Sequence, residues 1–149
     1  MRGRGDSGGT ISLELAVLAI PLIMLMMLMW AFGVYAQAES LSDQAARDAV
    51  RAASQSRSAG EAEEKIAAAV ESTTEDAEYV GRYMDCSVDP DLPQPFNAQP
   101  AISQAEMVTV SVTVTCSVDL SAAAFVPLSN VTVESTFVSP LDSYRGYYP

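Results

Sequence analysis

A carboxylate at the mouth of an oily stretch is the first feature of this 149-residue sequence that demands chemistry. Glu14 is followed by residues 15–38, which are 24 consecutive positions without a charge. A carboxylate near a bilayer centre costs about 2.5 to 3.5 kcal/mol, and less towards an interface, so Glu14 needs either water or a cationic partner. Cys86 and Cys116 are the only cysteines and form the second reactive set. The third observation is that histidine is missing altogether. That removes the commonest general base, the usual catalytic zinc ligand and the Ser-His and Cys-His pairs. Lys65 is the sole lysine, and spacing nominates no set of acid, nucleophile and base. The reading is therefore a non-enzyme, with no catalytic residue, no metal and no cofactor.

The 24 uncharged residues would reach ~36 Å as a helix, more than the ~30 Å of bilayer hydrocarbon. A helix buried inside a large soluble protein is also apolar all round, but a chain this short supplies too few neighbours to wrap one. Arg2 and Arg4 precede the span, whereas the residues from 39 onward carry 6 basic and 17 acidic groups. The positive-inside bias then puts the start in the cytoplasm and the bulk outside, a single-pass arrangement in the cytoplasmic membrane. Trp30, Phe32 and Tyr35 stand towards the outer end, where amphipathic rings favour the headgroup layer. A formal charge of -11 argues against nucleic acid as a partner.

Gly9-Thr10-Ile11-Ser12-Leu13-Glu14 is a small residue, four uncharged positions and a glutamate ahead of a long apolar helix. The pattern resembles the prepilin peptidase site of type IV pilins and their relatives. The resemblance implies cleavage after Gly9, with the Glu14 carboxylate attracting the new amine of Thr10. Such a pair has physical sense: opposite charges attract strongly in a low-dielectric filament core, while either alone carries a desolvation penalty, so wrong registers are disfavoured.

The run from Ser12 to Pro21, then Ala31-Phe32-Gly33, then an Ala-rich stretch with Arg47, Asp48, Val50 and Arg51 resembles the TadE-like family of the tight adherence system over residues 8–53. The Val-Thr-Val strand around Cys116 and the ending from Ser139 to Gly146 are similar to TadE-like proteins of high-GC Gram-positive bacteria. This resemblance implies a minor pilin or pseudopilin that supports assembly of Flp-type adhesive pili. Its implied partners are the cytoplasmic membrane, other pilin or pseudopilin subunits, a prepilin peptidase and the Tad secretion machinery, with a pilus-associated position at the cell surface. TadE-type and TadF-type roles are not separated by it. The rival is a secreted or membrane-tethered binding module with no role in a filament, because Ala36-Gln37-Ala38 satisfies the small-x-small rule of signal peptidase. Against the rival, the uncharged run exceeds the roughly 7 to 15 residues of a signal core, and Glu14 interrupts its start.

The elements that must carry these residues give an α+β fold, in which a long amino-terminal helix continues into a helical region and is followed by a small antiparallel sheet with one disulfide. Leu41, Ala45, Ala49 and Ala52 or Ala53 recur at helical spacing, so one helix should run from the membrane to about Ser56. Ser58 and Glu61 offer a capping box for a second helix, whose stripe of Ala62, Ile66, Ala69, Val70, Thr73 and Ala77 ends near Glu78. Its many carboxylates lack the spacing of a calcium loop and read as a solvated face. Residues 108–118 alternate valine or cysteine with threonine or serine, residues 130–138 alternate again, and residues 79–88 are a third, shorter strand. Residues 89–100 form a proline-rich connector and residues 122–129 a second break. The expected organisation is a leader at 1–9, a membrane and assembly helix at 10–38, amphipathic helices at 39–78 and a disulfide-linked β region with a tail at 79–149. On the exported side, a Cys86–Cys116 bridge would contribute roughly 3 to 4 kcal/mol by loop closure. The Asn130-Val131-Thr132 sequon is assigned no role. Tyr144, Tyr147 and Tyr148 form either a contact surface or an exposed tail.

Overall fold

The computed structural model describes residues 7–77, 79–93, 96, 108–121 and 130–141, with side chains from residue 14 onward. The tyrosines at 144, 147 and 148, the second break and half of the proline-rich connector lie outside the described residues.

Helix α1, Ser7–Ser54, is 48 residues long and continues through Pro21. Pro21 lacks the N–H that would reach back one turn, a local loss that a long run of Leu, Met and Ala on both sides outweighs. The helix closes where serine hydroxyls take over its last carbonyls: Ser54 Oγ donates to Arg51 O at 2.9 Å and Ser56 Oγ to Ala52 O at 2.8 Å. Helix α2, Ala59–Glu75, starts from Ser58, whose Oγ accepts the Glu61 N–H at 3.2 Å. Only this half of the expected capping box forms. The Glu61 carboxylate accepts the N–H of Arg57 at 2.9 Å instead of that of Ser58, and also pairs with Lys65 at 2.7 Å.

The second helix ends at Glu75, short of the expected 78. The hydroxyls of Ser72, Thr73 and Thr74 bond back to carbonyls at 69 to 71 and compete with continuation of the backbone ladder. Gly81 then closes the chain tightly on the helix end, since a Cβ there would collide with the Thr74 carbonyl. A 3-10 turn, Gly81–Tyr83, leads into strand β1, Met84–Asp91.

Strands β2, Thr109–Val118, and β3, Val131–Pro140, complete an antiparallel sheet of order β1-β2-β3. The third strand expected at 79–88 is thus displaced towards the carboxyl end, because residues 79–83 are spent on a turn. It absorbs Asp89, Pro90 and Asp91, which read as connector in the sequence. Pro90 is tolerated because β1 is an edge strand, where a missing N–H need not break a ladder.

The helices cover one face of this sheet. Val110, Val112, Val114, Cys116 and Val118 are buried there, beside Val133 and the half-buried Phe137. The opposite face presents Thr and Ser from the alternate positions of β2 and Thr132, Glu134, Thr136 and Val138 from β3, and Thr113 and Thr136 hydroxyls meet across it at 2.8 Å. The outer half of α1 lies against α2, β2 and β3 together. That demands small residues, and Ala38, Ala45, Ala46, Ala49 and Ala53 are all fully buried. Polar groups in this seam are matched. Ser42 Oγ donates to Val114 O at 3.4 Å, Ser135 Oγ donates to Asp43 Oδ1 at 2.5 Å, and the Arg47 guanidinium lies 4.7 Å from the Phe137 ring centre.

Candidate membrane and assembly helix

The three residues singled out for processing and assembly fall on one element, apart from the two cysteines of the sheet. Gly9 and Thr10 lie in the helical backbone of α1, and Glu14 follows Thr10 by four residues, about one turn. Glu14 is exposed, as is every residue from there to Trp30. Leu15, Leu18, Leu22, Met24, Met26 and Met29 each expose roughly two-thirds of their surface. A helix naked and apolar on all sides cannot remain in water, and the burial of its surface must come from lipid or from other helices.

At Ala31 the environment changes abruptly. Ala31 is 6% exposed and Val34 3%, and from there one arc of the helix is sealed by the rest of the protein. The 24 uncharged residues therefore belong to two different environments. Residues 15–30 face outward, whereas Ala31, Val34 and Ala38 are apolar because they are packed inside the protein.

Cys86 and Cys116 are joined by a disulfide, as expected. They stand directly opposite one another in the β1-β2 ladder, so the bridge ties an edge strand to the central one, with Cys116 buried and Cys86 half-buried. The acidic side chains of α2 face solvent, and among the described residues no three potential ligands converge on a metal position. Hydrogen bonding from Lys65, then from the Arg57 N–H, holds the Glu61 carboxyl below the usual carboxylate value.

One feature went unread in the sequence. Trp30 meets Tyr79 edge-on with ring centres 6.2 Å apart, and Tyr79 meets Tyr83 at 5.6 Å. The chain of rings links the end of the stretch of α1 that is exposed on every side to the turn before β1. The only local signal was a tyrosine beside Val80, which is buried and pins the turn to the core. Nothing in the spacing relates residue 79 to residue 30. The Asp43–Ser135 and Arg47–Phe137 contacts were equally invisible, since their partners come from distant strands.

Residues 9–51 match the family model described as TadE-like protein. The matched segment is almost the whole of α1, including the proposed cut, the exposed stretch and most of the buried stretch. The family is one of pilus-associated structural proteins, not of enzymes. Comparison with curated proteins and with solved structures gives no match.

Proposed function

We propose, from the premise that this chain is TadE-like through its first helix, that it is a minor pilin or pseudopilin supporting assembly of Flp-type adhesive pili. The supporting observation is the continuity of α1, which passes without a break from a stretch apolar on every side to a stretch packed into an α+β head. Such an element holds a precursor in the membrane and delivers its head to the outside. After release of residues 1–9 it can exchange lipid for neighbouring pilin helices with no change of fold.

In this reading a prepilin peptidase cuts between Gly9 and Thr10, and Glu14 docks against the amine so produced. The two charges lie one helical turn apart along the chain, so either the same subunit or a neighbour shifted along the filament axis can satisfy the carboxylate. The amino terminus lies in the cytoplasm, the head lies outside, and the Tad secretion machinery drives assembly.

The test is the mass of the protein extracted from membranes of its native cell. A mature chain starting at Thr10 is expected, with a Gly9→Asp variant retained at full length. A chain starting at Glu39, or one with Met1 and the leader retained, contradicts the reading and favours a secreted or tethered binding module. Glu14→Ala should leave the cut intact and reduce piliation severely, and normal piliation by that variant would remove Glu14 from assembly.

A further inference from the structure

The geometry points to a fixed seat of the head on the bilayer: Trp30, Tyr79 and Tyr83 form an aromatic footing that sits in the phospholipid headgroup layer, so the hydrocarbon ends at Trp30 and not at Ala38. The inference rests on the membrane-spanning reading of α1 and goes beyond it by fixing which part of the head touches lipid.

Three independent observations meet at this level of the molecule. Burial against the head begins on one arc at Ala31, directly after Trp30, so on that arc lipid above Trp30 would have to overlap the space occupied by protein. Length allows it: the 21 residues from Thr10 to Trp30 span about 31 Å as a helix, which matches the ~30 Å of hydrocarbon without residues 31–38. This places the Glu14 carboxylate about 6 Å inside the cytoplasmic boundary, where its cost is less than at the centre. Finally, the rings stand where one end is apolar and the other wet. Trp30 is 56% exposed and Tyr79 42%, and both carry a polar atom on a broad apolar ring.

The footing is held stiffly. Val80, between the tyrosines and the core, is 3% exposed, Gly81 N donates to Ala77 O at 3.0 Å, and Asp119 N donates to Tyr83 O at 2.9 Å. The same end of the sheet carries Met84, Val118 and Val131 in register, so it is the base of the head that faces the membrane. Phe32 and Tyr35, exposed on α1 within about two turns of Trp30, fall in the same layer. Charge does not supply the attraction, because Arg82 is exposed beside Glu75 in a shallow depression and Asp85 lies on the same end. The occupant is accordingly the headgroup layer of an ordinary zwitterionic bilayer, without a requirement for anionic lipid.

Trp30 is the only tryptophan, which makes the full chain its own probe. Reconstituted in phosphatidylcholine vesicles containing lipids brominated at graded depths, Trp30 should be quenched most by bromines nearest the headgroups. Adding anionic lipid should leave that depth unchanged. Maximal quenching by bromines about 12 Å deeper overturns the proposal, because that is where Trp30 would lie if the hydrocarbon reached Ala38. Absence of quenching by any brominated lipid, with full quenching by aqueous iodide, contradicts the membrane span itself and is distinguishable from a misplaced footing. In the Tyr79→Ala, Tyr83→Ala double variant the quenching profile should broaden towards greater depth, and an unchanged profile would remove the two tyrosines from the footing.

Discussion

The two halves of α1 are built from different residues for the same reason: both must avoid water. From Glu14 to Trp30 the helix is rich in Leu, Ile and Met, and every one of these side chains is exposed. From Ala31 to Ser54 the inward positions are mostly alanine, with Val34, Val50 and Ser42 among them. Lipid accepts long flexible side chains at no cost in packing, whereas a helix pressed between another helix and a sheet has room only for small ones. A single uncharged stretch in the sequence therefore conceals a border that only the packing reveals.

Substitutions can break this comparison, and thermal or denaturant unfolding of the head in micelles measures each. The largest effect is expected from Val114→Asp, which buries an unpaired carboxylate at a fully enclosed position and should cost about 4 kcal/mol or prevent folding. Replacing Cys86 and Cys116 together by serine should cost roughly 3 kcal/mol, with the unfolding midpoint of the wild type becoming sensitive to reductant. Ala49→Leu should cost about 2 kcal/mol by overpacking the seam, while Leu25→Ala in the exposed half should change the head's stability by under about 0.5 kcal/mol. Equal effects at positions 25 and 49 would abolish the distinction between the halves. Ser58→Ala should cost about 1 kcal/mol by removing the cap of α2.

The smallest effect is a pH dependence. The Glu61 carboxyl has its folded pKa lowered by Lys65 and the Arg57 N–H, so its contribution is present above the unfolded carboxylate pKa and lost as pH falls through the folded value. The midpoint difference between wild type and Glu61→Gln should therefore be largest at neutral pH and close in acid. Because the group is at the surface, the difference should also shrink with salt.

Much of the fold was legible. The strict alternation from Val108 to Val118 exposed the central strand because a period of two leaves only one reading, and Ser58 with Glu61 located the start of the second helix, though not its end. The disulfide was legible from the small number of cysteines and their location. The start of β1 was not, because residues 79–83 are committed to a turn by contacts with Trp30 and the end of α2, which are distant in sequence. Ser42 and Ser135 look like surface residues until Val114 and Asp43, separated from them by 72 and 92 positions, satisfy them. The exposed apolar stretch of α1 was readable up to its outer limit. Glu14 and the apolar run announce themselves, but the step at Ala31 leaves no mark, since lipid and close packing both exclude charge.

The central claim is that one uninterrupted helix serves two solvents, lipid up to Trp30 and its own protein from Ala31 onward. A nitroxide scan of single cysteines from 15 to 54, with the native disulfide intact and the protein in phosphatidylcholine vesicles, measures this directly through collision with oxygen and with a water-soluble nickel chelate. Sites 15–30 should show oxygen access on every side without helical periodicity. From 31 onward access should oscillate every three to four residues, with minima at Val34, Ala38, Ala45 and Ala49. Uniform oxygen access continuing through 38, or an oscillation already present at 15–30 in dilute monomer, would contradict the account.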